Sequence, residues 1–194
     1  MKNKVSMIIP NLWANEELLD MTIGCIKGAY QVVDEMIIIN DNQSYAKNVN
    51  KGLKACTGDY IIICNNDISF VQPDWLEHLI KPLQEGYDIS SVRTTDGDGW
   101  ETEDKITEGD KFGSIWVMKR TVYESVGSLD ESFGNYFEDL DYHKRANEKG
   151  FKVAKNHAGM VEHRGKATSK TIDPEDKAYN KAMEIYRKKW GAVE

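Results

Sequence analysis

Short apolar runs and longer amphipathic segments alternate along this chain. Val5–Ile9, Glu35–Ile39, Tyr60–Cys64, Asp88–Val92 and Phe112–Met118 are rich in β-branched and aromatic residues, and each predicts a buried strand. Pro10 closes the first run, and Phe151–Ala154 forms a last, shorter one. Between the runs, apolar residues return at helical spacing. Asn15 can cap a helix whose first turn holds Glu16 and Glu17, with Leu19, Ile23, Ile26 and Tyr30 packed on the sheet. Tyr45–Cys56 predicts a helix stopped by Thr57-Gly58, and Pro73 opens another carrying Trp75, Leu76, Leu79 and Ile80. Thr121–Val126 is a short helix, and Glu138–Lys149 is a longer one ended by Gly150. Pro174–Trp190 closes the chain as an amphipathic helix. Ala178, Ala182, Ile185 and Tyr186 form its apolar stripe, while Lys177, Lys181, Arg187, Lys188 and Lys189 stay solvated. Thr94–Asp110 is polar, holds three glycines and reads as a long loop. Strands alternating with helices predict an α/β fold with a largely parallel sheet.

Two of the apolar runs stop on small polar residues. Ile37-Ile38-Ile39 meets Asn40-Asp41-Asn42, and Ile61-Ile62-Ile63-Cys64 meets Asn65-Asn66-Asp67. In open α/β sheets, ligands sit just outside the carboxyl ends of strands. A carboxylate and two amides placed there can hold a hard cation and, through it, a diphosphate. Read alone, Asn65-Asn66-Asp67 is equally a turn using its side chains for local hydrogen bonds. Glu138-Asp139 follows the aromatic Tyr136-Phe137 and starts a helix, where the dipole favours carboxylates, so capping accounts for the pair as well as chemistry does. Asp141 falls on another face of that helix and reads as solvated.

A chain of 194 residues can bury one sizeable core, so a single domain is expected. No run approaches 18 apolar residues, which predicts no membrane span. The first residues pass directly into Val5–Ile9, too soon for a signal peptide. Cys25, Cys56 and Cys64 lie in apolar patterns at no metal-ligand spacing and read as buried free thiols. Their odd number, without a secretion signal, predicts a reducing, cytoplasmic setting. The net charge of −7 is unevenly spread: residues 1–143 hold 12 Lys+Arg against 25 Asp+Glu, and residues 144–194 hold 13 against 7. The acidic part suits a cation site. The basic end could meet a diphosphate, anionic lipid or nucleic acid, or be an ordinary solvated helix face.

Four segments together, in this order, resemble family 2 glycosyltransferases. They are Ser6-Met7-Ile8-Ile9-Pro10, then Ile37-Ile38-Ile39-Asn40-Asp41-Asn42, then Ala55–Tyr60 leading into Asn65-Asn66-Asp67. The fourth runs from Val126–Glu131 through Tyr136–Asp141 to Glu162-His163-Arg164-Gly165. The resemblance covers about residues 5–168 and implies a GT-A fold, a Rossmann-like α/β sandwich with a mostly parallel central sheet. Residues 1–168 would form the catalytic domain and 169–194 a basic amphipathic helix packed on it. The implied reaction is inverting transfer of a sugar from a nucleoside-diphosphate donor, a UDP-sugar foremost, to an acceptor hydroxyl, assisted by Mn2+ or Mg2+.

On the matching positions, Asp41 would contact the nucleotide base, with Pro10, Asn65 and Asn66 beside the nucleotide. Asp67 and His163 would hold the metal, and Arg164 and Lys166 would reach the diphosphate. Asp139 would be the catalytic base, kept ionised by the helix dipole, and Glu138 would orient the acceptor. The pattern departs from the family at Asp41-Asn42, which runs almost directly into Ser44-Tyr45-Ala46. A helix–strand unit looks deleted there. In these folds it forms a sheet edge, so its loss shortens the sheet and removes any base or ribose contact it supplies.

Two alternatives share the architecture. A nucleotidyltransferase carries a Gly-rich loop with Arg and Lys after its first strand, unlike Pro10-Asn11-Leu12-Trp13-Ala14. The other is a non-catalytic module that binds a nucleotide sugar or glycan. The acceptor could be a glycan, a small molecule or a modified DNA base, and the basic end allows peripheral membrane contact. Asp96-Gly97-Asp98-Gly99-Trp100 lacks the further ligands of a calcium loop and reads as a flexible loop on the acceptor side, with Trp100 free to stack. The segment Lys166–Lys170 would close over bound donor.

Overall fold

The apolar runs assemble into one eight-stranded sheet in the computed structural model, which describes residues 3–11, 15–41, 43–109, 113–165, 173 and 175–191. The strands are β1 (Val5–Asn11), β2 (Glu35–Asn40), β3 (Tyr60–Cys64), β4 (Ile68–Ser69), β5 (Ile89–Thr94), β6 (Ile106–Glu108), β7 (Ile115–Lys119) and β8 (Val153–His163). Their order is β2-β1-β3-β7-β5-β8-β4, with β6 paired to β8. β2, β1, β3, β5 and β8 run in one direction and β7 runs against them, so the central sheet is mostly parallel.

A sheet of this kind needs cover on both faces. Helices α1 (Glu16–Ala29) and α3 (Trp75–Gln84) supply it on one side, packing Cys25, Ala29, Trp75 and Leu79 against Met7, Ile9, Ile62 and Val117. Helices α2 (Tyr45–Ala55), α5 (Arg120–Val126) and α6 (Glu138–Glu148) cover the other, packing Val49, Leu53, Val122 and Tyr142 against Ile8, Ile61, Ile63 and Trp116. The alternation Ile61, Ile62, Ile63 thus serves both layers, and each such side chain contributes about 1.5–3 kcal/mol on burial. A one-turn helix α4 (Thr95–Asp98) follows β5. The last helix, α7 (Lys177–Trp190), joins a third cluster in which Ala182 and Tyr186 pack on Phe133, next to Tyr136, Phe137 and Leu140.

Three sequence expectations change. The sheet side of α1 is Leu18, Met21, Thr22, Cys25 and Ala29, which leaves Ile23 and Tyr30 exposed. The last strand is not four residues but eleven, because β8 pairs along its length with β5, β6 and β4 in turn. The polar stretch after Thr94 contains α4 and β6 rather than loop alone. Pro10 lies inside β1, opposite Ile39 of β2 and beyond the last residue of β1 that pairs with β3, where the missing N–H costs no ladder bond on that side. β2 is the sheet's edge, and only residues 41–44 separate it from α2. Phe112, Lys166–Lys170 and Pro174 lie outside the described residues.

Candidate functional site

The turn after β3 is held by a buried polar network. Asn66 donates from Nδ2 to Asn11 Oδ1 and Thr22 Oγ1, at 3.0 Å each, and Thr22 Oγ1 lies 2.6 Å from Asn11 Oδ1. Asn65 donates its backbone N–H to Ser114, and its Oδ1 accepts from Tyr45 at 2.9 Å. Both amides therefore brace the turn. What the turn presents is Asp67, whose side chain is 5% exposed.

The short β4 explains how Asp67 meets His163. β4 pairs antiparallel with the end of β8, Ile68 opposite His163, and the Arg164 N–H donates to the Asp67 carbonyl at 3.2 Å. His163 Nε2 then lies 3.2 Å from Asp67 Oδ1, an ion-pair contact, and that oxygen is buried without a well-directed hydrogen bond. On its other side, His163 Nδ1 lies 2.9 Å from Asp96 Oδ2. Asp96 arrives through the parallel β5–β8 ladder, Thr94 opposite Val161, which places α4 beside the end of β8. Gly165, at φ +42°, stands where a Cβ would lie 3.0 Å from the same carboxylate oxygen. Burial alone would lower the His163 pKa, but Asp67 and Asp96 outweigh it and raise it.

The imidazole thus joins two carboxylates from β-strand ends 29 residues apart in sequence. No three Asp, Glu, His or Cys groups among the described residues surround one point. Asp67 and His163 offer one oxygen and one nitrogen, which fits Mn2+ or Mg2+ completed by phosphate oxygens and water. The buried, undirected Asp67 Oδ1 is the atom such an ion would satisfy.

Glu138 and Asp139 open α6 after Phe137, a non-glycine residue in the left-handed region at φ 68°. That bend is pinned to the start of α2: Gly134 O accepts from Ala46 N at 2.9 Å, and Asn135 Oδ1 from Tyr45 N at 2.6 Å. Glu138 is buried, its Oε2 has no hydrogen-bond partner among the described residues, and burial together with the Asp139 charge pushes its pKa well up. Asp139 is half-buried and accepts from Leu140 N at 2.8 Å. Burial raises its pKa to about 6 despite that bond. The dipole therefore does not hold it in the ordinary carboxylate range. Burial thus raises both carboxylates of the pair above their ordinary range, and Glu138 is raised further by the charge of Asp139.

Asp141 is not solvated but fully buried. Arg145 Nε donates to its Oδ2 at 2.8 Å, while Trp190 Nε1 (2.9 Å) and Lys189 Nζ (2.7 Å) meet its Oδ1. Lys189 also pairs with Asp130 at 2.9 Å, so it too departs from the solvated reading. Asp41 directly follows β2, with one oxygen paired to Lys51 and the other accepting from Gln43 N at 3.1 Å; the Lys51 hydrogen bond lowers its pKa. Arg164 is exposed next to His163, and Lys166 lies outside the described residues.

A cleft of about 350 Å3 opens between β5, β7 and β8. His163 and Asp96 form one wall, Asp98 and Lys155 another, and Ser91 and Gly113 are also in its lining. Gly113 is where Asp139 comes close: a Cβ there would lie 3.7 Å from Asp139 Oδ2. Sequence reasoning passed over Asp96 and Asp98 as loop residues. An acid directly after a predicted strand was the available signal.

The sequence model described as Glycosyl transferase family 2 matches residues 26–158. No curated protein matches the sequence. Among solved structures, glucosyl-3-phosphoglycerate synthase from Mycobacterium tuberculosis with Mg2+ and UDP is 14% identical, with a TM-score of 0.66 over 99% of this chain and 81% of that one. The mannosyltransferase PcManGT from Pyrobaculum calidifontis with GDP-Man and Mn2+ is 13% identical, at TM-score 0.66 over 97% of this chain and 65% of that one. The catalytic domain of Drosophila beta1,4galactosyltransferase 7 with xylobiose is 17% identical, at TM-score 0.60 over 80% and 65%. At these identities the likeness shows the fold, a GT-A α/β sandwich, and two of these three proteins extend well beyond the span matched. With a sequence match across more than half its length, this chain belongs to glycosyl transferase family 2.

Proposed function

We propose that the protein transfers a sugar from a nucleoside-diphosphate donor to an acceptor hydroxyl, with inversion and with help from a divalent cation. The observation that carries this reading is a cleft lined by His163, which contacts Asp67, and by Gly113, beside which Asp139 lies. Departure of a diphosphate and deprotonation of a hydroxyl must occur on opposite sides of one carbon, and the two groups suit those two tasks. A bound Mn2+ or Mg2+ would act as a Lewis acid that neutralises charge on the departing diphosphate. The similar mycobacterial and Pyrobaculum proteins hold such ions with UDP and GDP-Man.

His163 would coordinate through Nε2, with Asp96 holding Nδ1 and so fixing the tautomer and ring orientation. Asp139 would take the acceptor proton on a carboxylate oxygen, as a base with a pKa near its working pH does best. Glu138, its pKa raised by burial and by Asp139, would orient the acceptor. Asn65 and Asn66 would support the Asp67 turn, and Asp41 would meet the base only by sharing its carboxylate with Lys51.

Calorimetry of UDP and GDP binding with and without Mn2+ tests the donor side. Asp67→Ala is expected to abolish the Mn2+-dependent part of binding while the circular dichroism spectrum stays unchanged. Equal affinity in parent and variant overturns the metal assignment. Asp139→Asn is expected to reduce transfer by about 10²–10⁴-fold with donor affinity retained. Normal turnover in that variant overturns the base assignment.

A further inference from the structure

The cleft carries a pattern of charge that the reaction itself does not require. Lys155 Nζ lies 2.8 Å from Asp98 Oδ1 and 2.7 Å from Oδ2, and the two side chains are only 12% and 21% exposed. Asp98 Oδ2 also accepts from Thr94 N at 2.9 Å, so the carboxylate is fixed in place. Asp96 stands on the neighbouring wall, against a His163 that also answers to Asp67. The Ser91 hydroxyl is buried, at 2% exposure, with no hydrogen-bond partner among the described residues, and Ser91 belongs to the cleft lining. A buried hydroxyl without a partner carries a free-energy penalty that a polar ligand would relieve.

We infer that this cleft seats the transferred sugar and selects an uncharged one, with Asp98 and Ser91 reading its hydroxyls. The inference rests on the glycosyltransferase reading and deepens it. Position argues for the donor sugar: the cleft touches His163 on one side and, at Gly113, the approach of Asp139 on the other. The carbon under attack has to lie between those two groups. Charge argues for a neutral ring. Ring hydroxyls donate to carboxylate oxygens and to the Ser91 oxygen. Among the described residues that line the cleft, a sugar carboxylate would face Asp96 and Asp98 against the Lys155 ammonium and a His163 imidazole that Asp67 and Asp96 already hold. Lys155 could reach it only by leaving the half-buried Asp98 carboxylate with the Thr94 N–H and without its cation, and removing one member of such a pair is costly.

The test measures binding to the full chain with Mn2+ by calorimetry, using UDP, UDP-glucose, UDP-galactose and UDP-glucuronate, with GDP, GDP-mannose and GDP-mannuronate in parallel. Uncharged donors should bind at least tenfold more tightly than their uronate counterparts. Asp98→Asn frees the Lys155 charge and should move that ratio toward the uronate by at least tenfold. Lys155→Met should move it the other way, which keeps the inference testable if Asp98→Asn folds poorly. Ser91→Ala should lose the affinity that the sugar adds over the bare diphosphate. Equal binding of uronate and neutral donors, or a ratio indifferent to Asp98 and Lys155, overturns the inference. If UDP or GDP binds but the sugar adds nothing, the transferase reading stands and the cleft assignment falls. If neither diphosphate binds with metal, both fall together.

Discussion

Replacing Asp141 with alanine removes the acceptor at the junction of α6 and α7. The parent carboxylate takes three charged or polar donors, from Arg145, Lys189 and Trp190. Breaking a buried pair by deleting one member costs about 3–5 kcal/mol. Two of the orphans have somewhere to go: Arg145 keeps bonds to the Val126 and Ser128 carbonyls, and Lys189 keeps Asp130. Among the described residues Trp190 Nε1 keeps no other acceptor, only solvent at the half-buried indole. The low end, about 3 kcal/mol, is therefore expected, which for a chain of this size lowers Tm by roughly 6–12 °C. Thermal unfolding followed by circular dichroism measures this directly, and Asp141→Asn, which retains an oxygen for Trp190, should fall between parent and alanine. A change within about 0.5 kcal/mol, the range of ordinary surface substitutions, would refute the reasoning.

Three further outcomes are expected. With Asp139 as base, the turnover rate needs its ionised form, so it should fall as pH drops through about 6; a limb with its midpoint near 4 would exclude this carboxylate in this environment. Glu35 is held at about 2, below its ordinary 4.5, because hydrogen bonds from Ser6 and Thr57 and the Lys4 charge outweigh its burial. A lowered carboxylate pKa contributes stability that is full above the unfolded value and lost as pH falls, so Glu35→Gln should flatten the dependence of Tm on pH between about 4.5 and 2. Cys25, Cys56 and Cys64 are all buried, so a thiol reagent such as DTNB should titrate none of them rapidly until the chain unfolds; immediate reaction of one thiol in the native protein would contradict the packing around β3.

Strands whose apolar runs are short and dense were legible because burial on both faces leaves no room for polar positions, as at Ile61-Ile62-Ile63. β8 was legible only at its start. Asn156, His157 and Gly159 interrupt its apolar run, yet Asn156 pairs with both Val92 and Ile106, and pairing on both sides carries the strand through. In α1 the buried face includes polar Thr22 and small Ala29, while larger Ile23 and Tyr30 stay outside, so residue size pointed to the wrong stripe. At the site, Asp67 could be picked out because it ends a strand. Asp96 follows a strand as well, but nothing local ties it to His163, which lies 67 residues away and meets it only through the β5–β8 ladder. Asp141 escaped for the same reason: two of its three partners come from α7, which no local pattern joins to α6.

The free edge of β2 bears on solubility. Met36-Ile37-Ile38-Ile39 carries no charge, and Ile38 within the strand and Val32 shortly before it are exposed. Glu35, the strand's one acid, is turned inward to Ser6 and Thr57. Sheets commonly guard such an edge with lysine, proline or a bulge, and within β2 there is neither lysine nor proline. Edge-to-edge pairing between chains at high concentration is therefore expected at this strand, which is remote in the sheet order from β5 and β8 and the cleft between them. Solubility and catalysis are thus separable by design: a lysine at Ile38 blunts the edge without entering the chemistry.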